Sequence, residues 1–219
     1  MKTVLVTGVS SGLGKEIVIR FLEKKYSVIG LSRTIPDIKS DNFIYLKTDI
    51  RSYKSVQQAF SSIRSIDLLV NNASVFKTKS FVEFNQEEID NLIDTNIKGT
   101  IYCTLEALKI MNRGRIINIG SVSGTHGIEN QAVYSATKYA LNGFSESLSK
   151  ETINNNILIS TICPGGIDTP LWNKDNVYNG DTDKLLNTKD LVDMIEFIEN
   201  LPDNVVFKTA TIFPSSESH

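Results

Sequence analysis

Short runs of β-branched and aliphatic residues recur along this chain, and between them the apolar positions spread to spacings of three and four. The runs predict strands at Thr3–Thr7, Ser27–Leu31, Phe43–Lys47, Ile66–Asn71, Arg115–Ile119, Ile157–Ile162 and Val205–Thr209. The wider spacing predicts helices at Leu13–Lys25, Tyr53–Ile63, Gln86–Met111, Ala132–Asn154 and Lys189–Asn200. Such strand-helix alternation predicts the α/β class: a doubly wound parallel sheet of about seven strands with helices on both faces. Ligands of such sheets bind at the carboxyl ends of the strands. The 15 residues between Arg33 and Asp49 leave little room for a helix, so a loop is expected there.

Composition narrows the class without changing it. A chain of 219 residues, 41% hydrophobic and 22% charged, reads as one globular domain over 1–214 with a mobile polar tail at 215–219. The net charge of -2 argues against a nucleic-acid partner or a basic membrane-binding face. No apolar run approaches the ~20 residues of a membrane span. Two histidines and two distant cysteines, Cys103 and Cys163, offer no metal site, and reduced thiols fit a cytoplasmic protein.

Candidate chemistry begins with Tyr134 and Lys138. Four residues apart on a helix, a phenol and an ammonium share one face, and a nearby cation favours the phenolate. The pair is therefore an acid/base candidate, although the same spacing also occurs in a packed ring beside a solvated charge. Directly after the first strand, Thr7 to Gly14 read TGVSSGLG. Gly8 supplies a tight turn, Gly12 lets backbone approach a pyrophosphate, and Gly14 lets helix and strand pack closely. Ser10, Ser11 and Leu13 belong to the same expected cofactor-binding turn, and the sheet is then Rossmann-like.

The second strand runs into Ser32-Arg33, where NAD-binding sites of this architecture commonly place an acid. A guanidinium beside a hydroxyl suits a phosphate ester, so NADP(H) is expected and NAD(H) is the lesser alternative. Asp37, beyond Pro36, is the residue that could reverse this.

Gly8, Gly12 and Gly14, with Asn71-Asn72-Ala73, Ser121, Tyr134 and Lys138, resemble the short-chain dehydrogenase/reductase family in its compact form. The resemblance is close from Met1 to about Pro170. It implies a catalytic tetrad of Asn96, Ser121, Tyr134 and Lys138. Ser121 would hold a carbonyl oxygen, Tyr134 would exchange the proton, and Lys138 would lower the tyrosine pKa and bind the nicotinamide ribose. Asn96 would hold a water linking Lys138 to solvent. Ser123 stands near Ser121 but at a different offset from Tyr134. The resemblance further implies cofactor contacts from Asp49 and Ile50 at the adenine, and from Asn72 and Ala73 beside the adenosine ribose. Pro164, Gly165, Ile167 and Thr169 would lie along the nicotinamide carboxamide and pyrophosphate. Ser74 departs from the family, which often has glycine there.

The implied reaction is hydride transfer between NADP(H) and a small-molecule carbonyl or secondary alcohol. Two other classes share parts of the pattern: a nucleotide-sugar epimerase or dehydratase, which usually carries a larger C-terminal domain, and a dinucleotide sensor without turnover. Substrate contacts are expected from a lid over Leu171 to Asn187, with Trp172 and Tyr178. Lys77 and Lys79 could meet an anionic substrate, and His126 could border the pocket. The small residues Ala136, Ala140, Gly143 and Ser147 line one face of the Ala132–Asn154 helix. Together with the Gln86–Met111 helix, that face is expected to form a two-fold homo-oligomer.

Overall fold

A computed structural model describes residues 1–172 and 184–215. Most of the expected lid, Tyr178 included, and residues 216–219 of the tail lie outside the described residues.

Seven strands form one all-parallel sheet: β1 (Thr3–Thr7), β2 (Ser27–Ser32), β3 (Phe43–Lys47), β4 (Leu68–Asn71), β5 (Gly114–Ile119), β6 (Ile157–Pro164) and β7 (Thr209–Ile212). Their spatial order is β3-β2-β1-β4-β5-β6-β7, so the winding reverses between β1 and β4. The crevice at the carboxyl end of that switch point is where such a sheet takes its ligands.

Side-chain alternation sends successive strand residues to opposite faces. Val4, Val6, Leu68, Val70, Ile117 and Ile119 meet α1 (Gly12–Glu23) and α6 (Thr188–Glu199) through Ile17, Val18, Phe21, Leu191, Ile195 and Ile198. Leu5, Leu69 and Ile116 point the other way, into a core shared with α2 (Tyr53–Phe60) and α4 (Thr100–Leu108). The long helix α5 (Ala132–Thr152) covers β6 on that second side. Both faces are covered, as expected, and the loop between β2 and β3 holds no helix. No helix among the described residues is long and apolar enough to cross a membrane.

Two elements differ from expectation. The Gln86–Met111 helix is divided into α3 (Gln86–Ile93), a π-helical turn at Asp94–Gly99, and α4. The widened turn coincides with the Asn96 side chain being drawn toward the turn after β4, an insertion of the kind that disturbs helical pairing. The last strand lies at Thr209–Ile212 and not at Val205–Thr209. The buried Arg115 guanidinium takes the backbone oxygens of Leu201, Pro202 and Val205, which holds Val205 in a turn. Pairing with β6 therefore starts only at Thr209, opposite Thr161.

Candidate active site

The turn from β1 into α1 is bolted to the end of β4. Thr7 Oγ1 accepts from the backbone N–H groups of Asn72 and Ala73, both at 3.0 Å. Asn72 Nδ2 in return donates to the carbonyls of Thr7 (2.9 Å) and Gly8 (3.2 Å). Gly8 has φ +75 and sits where a Cβ would fall 2.8 Å from Ala73 Cα, while a Cβ at Gly14 would collide with the Gly8 carbonyl. Both glycines thus serve close approach across the switch point. Ser11 is the N-cap of α1 but makes no side-chain cap bond, and the first turn carries no acid. The helix therefore presents unfilled N–H groups and a positive dipole end to a cleft of about 740 Å³.

All of the predicted cofactor residues line this one cleft, from the glycine turn through Ser32, Arg33, Asp49 and Ile50 to Pro164, Gly165, Ile167 and Thr169. Arg33 is exposed at its rim and makes no hydrogen bond among the described residues. The Ser32 hydroxyl is not free beside it, because it donates to the Thr34 carbonyl at 2.7 Å. Arg51, unnoticed in the sequence, binds Asp49 through Nη2–Oδ2 at 2.7 Å and holds that carboxyl below its usual range. Its only signal was a position two residues past Asp49. The Ile167 carbonyl accepts from the Trp172 indole at 2.8 Å, while the Ile167 N–H has no protein partner among the described residues. Residues suited to a dinucleotide's phosphates, ribose and carboxamide are thus present along one groove.

At the other end stand Ser121, Tyr134 and Lys138. Ser121 caps a short 3-10 turn, Val122–Gly124, accepting from Ser123 N–H at 3.1 Å, and its hydroxyl acts on the Tyr134 phenol, opposing the effect of burial there. Ser123 turns away and donates to Gln131 Oε1 at 2.8 Å. The phenol therefore meets Ser121 and not Ser123. Lys138 is 3% exposed and donates to the Ile119 carbonyl at 3.0 Å. Its Nζ lies 5.5 Å from the centre of the Tyr134 ring.

The expected lowering of the tyrosine is not found in the protein alone. Burial pushes the Tyr134 phenol up to about 12, against the opposing Ser121 hydrogen bond. Burial also lowers Lys138 to about 8. The ammonium stands over the ring and is bonded to a carbonyl, so desolvation outweighs it.

Asn96 lies apart from the cleft lining and is 2% exposed. Its Oδ1 accepts from Ser74 Oγ (3.0 Å) and Val75 N–H (2.8 Å), and its Nδ2 donates to the Val75 carbonyl (2.9 Å) and Thr137 Oγ1 (3.1 Å). This fills the amide's capacity, so the group of Asn96 with room for the expected water is its backbone carbonyl, which accepts from Thr100 Oγ1 at 3.2 Å. The side chain ties the turn after β4 to α5, and Ser74, at the position where glycine is usual, is one of its partners.

The substrate side also departs from expectation. Lys77 and Lys79 reach Glu88 at 3.9 and 2.7 Å, and of that stretch only Thr78 lines the cleft. His126 stacks on Phe213 with centroids 6.2 Å apart and does not line the cleft. An aromatic wall missed in the sequence does: Phe76, which stands edge-on to Tyr134 at 4.7 Å and to the expected Trp172 at 5.3 Å. A lone Phe in a loop gives no such signal.

A family described as short chain dehydrogenase matches residues 2–179 of this chain. A 3-oxoacyl-[acyl-carrier-protein] reductase of Buchnera aphidicola subsp. Schizaphis graminum is 36% identical over 191 residues, covering 81% of this chain and 78% of the relative. The NADP-dependent 3-hydroxy acid dehydrogenase of Schizosaccharomyces pombe is 30% identical, covering 99% and 93%. A closed form of serine dehydrogenase complexed with NADP+ superposes with a TM-score of 0.90 at 29% identity, over 99% of this chain and 96% of that one. Matched by the family over most of its length and sharing the parallel sheet of such a neighbour, the chain belongs to the short-chain dehydrogenase family.

Proposed function

We propose that this chain is an NADP(H)-dependent oxidoreductase acting on a carbonyl or secondary alcohol of a small molecule. The observation carrying this reading is the meeting of Ser121, Tyr134 and Lys138 at one end of a cleft whose other wall is the open N-terminus of α1. When bound, the nicotinamide supplies or accepts the hydride. Ser121 Oγ orients the carbonyl oxygen, and Tyr134 gives that oxygen its proton. A phenol that keeps its proton to about 12 is suited to the reducing direction, in which it is the acid. The Lys138 ammonium stabilises the phenolate left behind, and Asn96 acts by fixing the Ser74–Val75 turn.

The glycine turn and α1 N-terminus would hold the pyrophosphate, Ile167 and Thr169 would lie along the carboxamide and pyrophosphate, and Arg33 would pair with the 2′-phosphate. NADP(H) is favoured because Arg33 has no competing hydrogen bond, and the structural neighbour and the 3-hydroxy acid dehydrogenase are both described with NADP. NADPH consumption across ketones, aldehydes, quinones and 3-oxoacyl thioesters tests the assignment. Steady oxidation with one class is expected; tight NADPH binding with none consumed would favour a sensor. The epimerase reading loses support because the described residues form one sheet without a second substrate domain.

The proposed assembly is a two-fold dimer through α4 and α5, in a cytoplasmic protein with free thiols. Ala136, Ala140, Gly143 and Ser147 are exposed on α5, where Tyr139 is about half exposed, as is Leu105 on α4. Sedimentation should give a dimer, and Ala140→Trp a monomer; a wild-type monomer would remove the proposal.

A further inference from the structure

Charge is distributed unevenly along the cleft. Arg33 follows β2 and Ser121 follows β5, three strand steps apart across β1 and β4, or roughly 14 Å at ordinary strand spacing. The exposed cations, Arg33 and Arg51, are therefore at the adenosine end. At the reacting end the only cation lining the cleft among the described residues is the buried Lys138, already bonded to Ile119. Lys79 is paired with Glu88 at 2.7 Å, Lys77 lies 3.9 Å from the same carboxylate, and neither lines the cleft.

One acidic residue, exposed in the fold, borders this end. Glu129 lines the cleft in the loop joining the Ser121 turn to the Tyr134 helix. That loop is held from both sides, by Lys79 N–H donating to the Asn130 carbonyl at 2.9 Å and by Ser123 bonding Gln131. Glu129 itself has no hydrogen bond or ion pair among the described residues. The same end is walled by Phe76, Tyr134 and Trp172, whose ring faces also attract cations.

We propose that the cleft selects carbonyl compounds, or their alcohols, that carry an ammonium group near the reacting carbon, with Glu129 as its counter-ion. This rests on the reductase reading of the site. An anionic substituent at the same place meets a carboxylate and, among the described residues, no available cation. Glu129 is a specificity residue and takes no part in proton or hydride transfer.

Aminoacetone, hydroxyacetone and pyruvate offer one three-carbon ketone with a cationic, neutral or anionic neighbour. With NADPH, kcat/KM should fall in that order. Glu129→Gln should lower the aminoacetone-to-hydroxyacetone ratio about fivefold, the scale of a rim ion pair, and raise the pyruvate-to-hydroxyacetone ratio. Pyruvate equal to or better than aminoacetone, or ratios unmoved by Glu129→Gln, would overturn the proposal. The three corresponding alcohols titrated into the NADPH complex, where both partners are reduced and no hydride can move, give a readout independent of turnover through the fluorescence of Trp172, the only tryptophan. Preferential binding of the amino alcohol that Glu129→Gln erases, without NADPH oxidation by any ketone, would sink the reductase reading and keep the cation selection. No saturable response to any alcohol would sink the cation selection.

Discussion

The Lys138 ammonium lies 5.5 Å from the centre of the Tyr134 ring, and the phenol is nonetheless held at about 12. Both groups sit on one face of α5 and both lose their water there, so burial disfavours each charged form before either can help the other. In the protein alone the pair is a neutral acid beside a weakened cation.

Tyr134 should therefore remain protonated through neutral pH in the cofactor-free protein. Ultraviolet titration should find equal phenolate in wild type and Tyr134→Phe up to about pH 10, where exposed tyrosines begin to ionise. Turnover in Tyr134→Phe should fall by ~10²–10⁴-fold with NADPH affinity nearly unchanged, since the ring and its Phe76 contact persist. Neutral-pH phenolate lost in that variant would reverse the account.

Lys138 makes a stability prediction with a definite sign. Its pKa falls from 10.5 unfolded to about 8 folded, so between those values the unfolded chain binds more protons and stability from this group rises with pH. Below pH 8 the buried charge costs up to about 3 kcal/mol. Lys138→Met should be inactive yet more stable at pH 7, by less than that limit because the bond to Ile119 is lost. Its advantage in urea melts should shrink from pH 8 toward 10.5; a constant difference would refute the buried ammonium.

Arg33→Ala should weaken NADPH by about 10-fold or somewhat more and NADH far less, because only the phosphate engages the guanidinium. Exposure at the cleft rim places the effect at the low end. Ser32→Ala should change NADPH affinity by less than about threefold, its hydroxyl being committed to Thr34. Equal losses for the two cofactors, measured by titration at fixed ionic strength, would move attention to Arg51.

Asn96→Ala should lower stability by roughly 2–4 kcal/mol, because it strands buried partners on Val75 and Thr137. Activity should fall with it as the Ser74–Val75 turn loosens. A variant as stable as wild type but slow in turnover would assign Asn96 to the chemical step instead.

What the chain's order of residues determined by itself was the local and periodic part. Apolar runs alternating with helical spacing specify the layered parallel sheet, and glycines between a strand and a helix specify the turn at its switch point. Four-residue spacing places Tyr134 and Lys138 on one face wherever that helix packs. Tertiary structure decided whatever depends on a neighbour distant in sequence. Thr209, and not Val205, begins β7 because Arg115 occupies the preceding carbonyls. Ser123 gives its hydroxyl to Gln131. Lys77 and Lys79 are withdrawn from the cleft by Glu88, and Glu129 is left to face it. Tyr134 and Lys138 have pKa values set by lost water, a property of how the whole chain closes over them, and side-chain spacing along a helix carries no measure of that burial.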